Sequence, residues 1–181
     1  PWIVEDALHQ NYRIGIVAAS DGHKGRQGAE YPGASLFGCY GGYTCHLMPE
    51  LSRDALFESF RRRNHFATTG IRVFLEAGVE MPSGGIIHAR NPDLGPTESW
   101  NAEKALMGDI VEVRGEEVTF TVDLGTAVPV ERIEFRDGLQ LLETVRPYTK
   151  RDLGSRIRVI WEGAEYRGRG RMVTWDGHLY V

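Results

Sequence analysis

The chain has little cysteine. Cys39 and Cys45 are its only two, too few for a disulfide framework, and their spacing is not the C-x-x-C of a zinc or redox motif. That usage fits a reducing, cytoplasmic compartment. Long apolar runs are also missing. None approaches the roughly 18 residues of a transmembrane helix, and the opening Pro1-Trp2-Ile3-Val4-Glu5-Asp6 lacks the basic segment followed by an apolar one that a secretion signal needs. A membrane is therefore not an expected partner. Positive charge is in short supply as well: 21 Lys and Arg against 25 Asp and Glu give a formal net charge of -4 and a pI near 5.9. Without a broad basic field, the chain has nothing to draw it to nucleic acid or to an anionic lipid surface. HExxH, GxxxxGK[ST], internal repeats and low-complexity tracts are absent from the sequence, which removes the metalloprotease helix, the Walker-type phosphate loop and repeat architectures.

What is there has ordinary globular composition, with 41% apolar and 25% charged residues among 181, so a real core can form in one domain or two small ones. The sequence starts on Pro, inside what reads as an element already under way, as a fragment or a processed product would. Residues 1–10 carry Trp2, Ile3, Ala7 and Leu8 at near-helical spacing, and residues 13–19 form an apolar run interrupted by Gly15. This predicts a helix followed by a buried strand. A short strand over 43–48 leads through Pro49 into ELSRDALFESFRRRN, where Leu51, Ala55, Leu56 and Phe60 share a face and Ser52 is placed to cap a helix. The Arg61-Arg62-Arg63 run at its end reads first as a solvated face complementing the helix dipole, and second as a phosphate contact.

From residue 71 the pattern turns to alternation. Segments 72–79, 110–113, 118–124, 132–136, 139–145 and 156–161 predict strands, with Asp137-Gly138 as a hairpin turn. Val118, Phe120, Val122 and Leu124 alternate with Thr119, Thr121 and Asp123, as strands half-buried in a small antiparallel β-sandwich would. Between these segments, residues 81–107 read as a long surface excursion with a short helix near 103–107.

The densest chemical signal is IVAASDGHKGRQG, residues 16–28, where an apolar run ends in an acid and an imidazole. A period of two puts Asp21 and His23 on one side of an extended chain, with Gly22 free to twist between them. Oxygen and nitrogen donors so placed suit Zn, Mn or Fe. Two ligands fall short of the three or more that a catalytic metal usually takes, however, and Ser-Asp-Gly-His is good turn chemistry: Asp accepts backbone N–H groups and Gly takes a positive φ. On these letters alone the turn outweighs the metal. Lys24 and Arg26 in the Gly-rich continuation are candidates to hold an anionic group. His46 and His65 flank the predicted helix and are the next histidines to approach such a pocket, ahead of His9, His88 and His178. Cys45 has no activating partner in the sequence. Trp161, Tyr166, Trp175 and Tyr180 read as sandwich core before they read as a sugar platform.

Taken in order, YRIGIVAASDGHKGRQGAEYPGASLFG, ELSRDALFESFRRRNHFATTG and a β-rich tail carrying Met107-Gly108-Asp109 resemble the carboxy-terminal part of the PHP-like superfamily. These are metal-dependent phosphoesterase relatives, and the likeness is to the members grouped as the domain of unknown function DUF3604. It covers most of the chain. The resemblance implies an α+β protein, with residues 1–70 as the last strands and helices of a distorted (β/α) barrel and residues 71–181 as a β-rich accessory domain. In that superfamily a late D-x-H supplies two ligands to divalent metals at the strand ends, which implies that Asp21 and His23 are metal ligands. Lys24 and Arg26 would then neutralise an anionic small-molecule substrate. The amino-terminal His-x-His, the central Glu and the middle histidines of the pattern have no counterpart here. The parent is therefore expected to carry a divalent metal, Zn, Mn or Fe, and this chain alone to bind little and to be inactive. A barrel cut open exposes a strand edge and an apolar face, so self-association is expected. The rival reading, from a different class, is a non-catalytic β-sandwich interaction module attached to a degenerate barrel remnant.

Overall fold

The computed structural model describes residues 2–22, 25, 41–155, 157, 159, 176–178 and 180. The chain is a mixed α+β protein with few helices, and every strand pairing among the described residues is antiparallel. Helix α1, Trp2–His9, stands where the spacing predicts it. The buried strand expected over 13–19 does not form. Residues 12–20 have no regular secondary structure, and Ile14, Ile16 and Val17 are 43%, 45% and 58% exposed. The physical reason lies in how the run is tied. Ala18 N–H donates to Thr44 Oγ1 at 2.9 Å, and the same hydroxyl donates to Ala18 O at 2.8 Å. A side chain stands where a backbone ladder would have made a strand.

Strand β1, Tyr43–His46, and strand β2, His65–Thr68, form a hairpin around helix α2, Arg53–Arg62, in the register Tyr43↔Thr68 to His46↔His65. Ser52 caps α2 as expected, its Oγ accepting from Ala55 N–H at 3.2 Å. The buried side of α2 runs through Ala55, Leu56 and Ser59; Leu51 precedes the helix and is exposed, and Phe60 stands at the edge of that face. Arg63 ends the helix in the left-handed region at φ 60, its N–H donating to Phe60 O and Ser59 O.

The larger sheet is built on β3, Val73–His88. One of its edges takes β4, Ser99–Leu106, along its length; the other takes β5, Ile110–Val113, against residues 85–88 and β6, Thr119–Thr126, against residues 73–80. The excursion expected over 81–107 is thus mostly strand, and the helix expected near 103–107 is part of β4. Pro82 and Gly84 break the period of β3 without ending it. They lie in a bulge where the register jumps from Glu80↔Lys104 to Gly85↔Ala102, a place where a missing N–H and a φ of +73 at Gly84 do no harm. In β4 the Ala, Glu, Lys and Leu residues have helical propensity, and sheet pairing overrides it.

Met81, from that bulge, is the most buried large side chain described, packed with Ile87 and Ala105 beneath Val79, Ala102, Val111 and Val118. In β6, Val122 and Leu124 are half-buried between exposed Thr121 and Asp123, as the alternation predicts, while Phe120 is exposed with its ring 6.0 Å from that of Phe135. Strands β7, Ile133–Asp137, and β8, Gln140–Val145, are joined through Gly138 and Leu139, with Asp137 paired to Gln140 and Gly138 at φ 56, so the hairpin predicted at Asp137-Gly138 turns one position later. A short helix α3, Lys150–Leu153, follows. The strand predicted over 156–161 lies outside the described residues except for positions 157 and 159. No helix among the described residues is long and apolar enough to cross a membrane.

Candidate functional site

The direction of residues 14–19 along the β1–β2 hairpin decides which candidate side chains can meet. A Cβ on Gly15 would stand 2.7 Å from His65 Nε2, and a Cβ on Gly42 would stand 2.8 Å from Ala18 Cβ and 3.1 Å from both Ala19 O and Thr68 O. Together with the Ala18–Thr44 bonds, these contacts set the run parallel to β2. It passes the His46–His65 end of the hairpin first and carries Asp21 out beyond the Tyr43–Thr68 end. His46 and His65 are therefore not brought to Asp21.

Asp21 itself is exposed, with φ 53, and Gly22 N–H donates to Ser20 Oγ at 3.3 Å. An Asp tolerates the left-handed region better than most residues, and a short side-chain bond of this kind is what a tight turn uses. His23, Lys24, Arg26 and Cys39 lie outside the described residues. No group of three or more His, Cys, Asp or Glu is gathered among the described residues. One carboxylate does not hold a divalent ion against water, so the described donors at this end do not themselves make a metal centre.

The hairpin gathers a different constellation. His46 and His65 stand directly opposite each other, with ring centroids 5.3 Å apart and planes at 47°, and the Phe60 ring closes on both at 4.3 and 5.5 Å. Buried Ser59 holds both imidazoles. Its hydroxyl donates to Asn64 O at 2.8 Å, which leaves His46 Nδ1–H to donate to Ser59 Oγ at 3.0 Å. His65 Nδ1 faces Ser59 O at 3.4 Å, and a carbonyl can accept but not donate. His65 is 8% exposed, and its Nε2 is buried with no hydrogen-bond partner. Sequence reasoning named both residues without placing them together. Their pairing depends on β2, which the four letters HFAT do not announce.

The arginine run is not the solvated face expected of it. Arg62 Nη2 pairs with Asp109 Oδ1 at 2.9 Å and lies 5.5 Å over the Trp100 ring. Arg63 Nε donates to Gly108 O at 2.9 Å, and Asn64 Nδ2 to Met107 O at 2.7 Å. Asp109, whose side chain is 5% exposed, also accepts from Leu106 N–H at 3.0 Å. Three consecutive residues at the end of α2 thus grip the Met107-Gly108-Asp109 turn between β4 and β5, and Arg61 alone of the three arginines stays exposed. Burial pushes the Arg63 guanidinium pKa below its ordinary value, with Asp109 opposing the shift. The grip fixes Asn64, and through it Ser59 and the two histidines.

Of the other candidates, His9 and His178 are exposed, and His88 Nε2 stands 3.6 Å from Glu112 Oε2. Cys45 is a free, half-buried thiol. Tyr180 is exposed rather than core, with its ring 6.4 Å from that of His178; Trp161, Tyr166 and Trp175 lie outside the described residues. Compared with family models, curated proteins and solved structures, the chain matches none.

His46 carries a pH dependence of known sign. Burial, and then the neighbouring His65, hold the His46 pKa below its ordinary 6.5, so below that value the unfolded chain takes up the proton more readily than the folded one. Stability from this source is full above about pH 7 and falls as the pH drops through the ordinary value toward the folded one. Thermal unfolding followed from about pH 8 to pH 5 should show a falling Tm with a shallower slope in His46→Asn. Equal slopes in the two proteins would refute the assignment.

Proposed function

We propose that this chain is the carboxy-terminal part of a metal-dependent hydrolase of the PHP-like kind, acting on phosphoesters or related bonds. Residues 1–70 complete a distorted (β/α) barrel in this reading, and the β-rich remainder forms an accessory sandwich. The observation that carries it is the path of residues 14–19: an apolar run parallel to β2 that delivers Asp21 to an exposed turn at its carboxyl end. The run is not a strand in this chain; in the barrel of the proposed parent it takes the place of a parallel strand, and ligand-binding groups of α/β folds collect at the carboxyl end of such strands. The half-exposed Ile14, Ile16 and Val17 support the same reading, because a neighbouring barrel element would cover such a face, and they favour self-association of the chain on its own. Asp21 and His23 are the metal ligands of the proposal, with Zn, Mn or Fe as the ion in the parent. Lys24 and Arg26, the basic residues next in the sequence, are assigned to neutralise the anionic group of the substrate.

The test is metal content and hydrolytic activity of the parent protein against Asp21→Asn and His23→Ala. Both variants are expected to lose bound metal and activity with little change in Tm, since Asn serves the Ser20–Gly22 turn about as well as Asp. An Asp21→Asn protein with full metal occupancy and activity sinks the ligand assignment and leaves the non-catalytic module as the reading of the chain.

A further inference from the structure

We propose that His46 and His65 form a second metal-binding site, a two-imidazole chelate for a borderline dication such as Zn(II), Ni(II) or Cu(II), separate from the Asp21 turn. Residues directly opposite in an antiparallel pair present their side chains on one face, with Cβ atoms about 4.5–5.5 Å apart, and His46↔His65 is such a pair. Two imidazoles that share a tetrahedral ion through bonds of about 2.0–2.1 Å stand with ring centroids roughly 5 Å apart; here the separation is 5.3 Å. The protonation pattern fits as well. Ser59 takes the Nδ1–H of both rings, one on its hydroxyl and one on its carbonyl, which leaves both Nε2 lone pairs free. Metal-bound histidines are oriented in this way, by an acceptor on the far ring nitrogen.

The buried, unpartnered His65 Nε2 is the independent sign of a missing ligand. A buried acceptor without a donor has a cost that a cation removes. Neutral imidazole donors select Zn, Ni or Cu, and hard ions such as Mg or Ca require oxygen ligands. His65 Nε2 packs against Gly15 on the irregular run, so the ion enters by displacing that segment, and water completes its coordination.

Histidine ring nitrogen spectra of the wild-type chain, uniformly labelled with nitrogen-15, test the site directly. Both rings should start as the Nδ1–H form. Zn(II) should then shift the Nε2 signals of His46 and His65, and Mg(II) should leave them in place. The apparent Zn(II) affinity, read by competition with a chromophoric chelator, should fall at least about tenfold in His46→Gln and in His65→Gln and stay unchanged in His9→Gln, at an exposed histidine outside both sites. The ring signals, read residue by residue, separate this site from the proposed function at Asp21 and His23. Ring signals of His46 and His65 that do not move at millimolar Zn(II) overturn the proposal in the wild-type protein, whatever the folding of the variants.

Discussion

Gly108→Ala is expected to destabilise the chain by about 3–5 kcal/mol, among the largest losses a single methyl group can cause in it. Gly108 has φ +93, and a Cβ there would lie 2.1 Å from Arg63 O, 2.3 Å from Arg63 C and 2.8 Å from Arg62 O. These are backbone atoms at the end of α2, with no flexible side chain to swing aside. The turn must therefore withdraw from the helix. Withdrawal breaks the Asn64–Met107 and Arg63–Gly108 bonds and parts Arg62 from the nearly buried Asp109 carboxylate. A charge left buried without its partner contributes the largest loss of these, moderated here because Arg62 is about one-third exposed. Gly138→Ala is the control. Gly138 also has positive φ, at +56, but nothing lies within 4 Å of its Cβ position, so only the left-handed strain of about 1–2 kcal/mol applies. Equal losses in the two variants by urea denaturation would show that the turn is not docked on α2. In Gly108→Ala the resonances of His65 should move as well, because Asn64 anchors the segment that holds it.

What was legible in the sequence follows from which signals are local. Ser52 as a cap, the body of α2 and a hairpin near Asp137-Gly138 are written in a few adjacent letters, and the structure has all three, the hairpin turning at Gly138-Leu139. The turn character of Ser20-Asp21-Gly22 is equally local, but its roles differ from those expected: Ser20 Oγ is the acceptor and Asp21 takes the positive φ, in place of Asp21 and Gly22. Strand β2 and the second half of β3 are not. HFAT has no alternation to read, and the Pro82 and Gly84 that suggest a loop sit in a bulge whose existence depends on two partner strands. The run at 13–19 shows the opposite failure: apolar letters announce a wish for burial and cannot say whether a neighbour is present to grant it. The two histidines and the grip of Arg62, Arg63 and Asn64 on the β4–β5 turn join residues far apart in sequence, so they appear only once register and docking are known. A run of three arginines looks like a solvated face until its acceptors arrive from a segment more than forty residues later.

Met81→Ala should cost about 2–5 kcal/mol, the range for truncating a fully buried large side chain. Met81 is 1% exposed and leaves the bulge of β3 to pack with Ile87 and Ala105. Its sulfur occupies the space a side chain on Gly85 would need, since a Cβ there would lie 2.7 Å from Met81 Sδ. Collapse around the cavity is resisted because β3 is held at both edges on either side of the bulge. Ile16→Ala removes a comparable apolar volume from a residue that is 45% exposed, and a half-buried side chain loses only about 1 kcal/mol. The pair of variants therefore measures the cover over residues 14–19 against a known core position, by urea denaturation at a concentration where the chain is monomeric. An Ile16→Ala loss as large as that of Met81→Ala would mean that the run is buried in solution after all, and the open face on which self-association rests would not exist. A small loss in the dilute monomer that grows as protein concentration rises is the expected result, because a second copy then supplies the burial that this chain leaves undone.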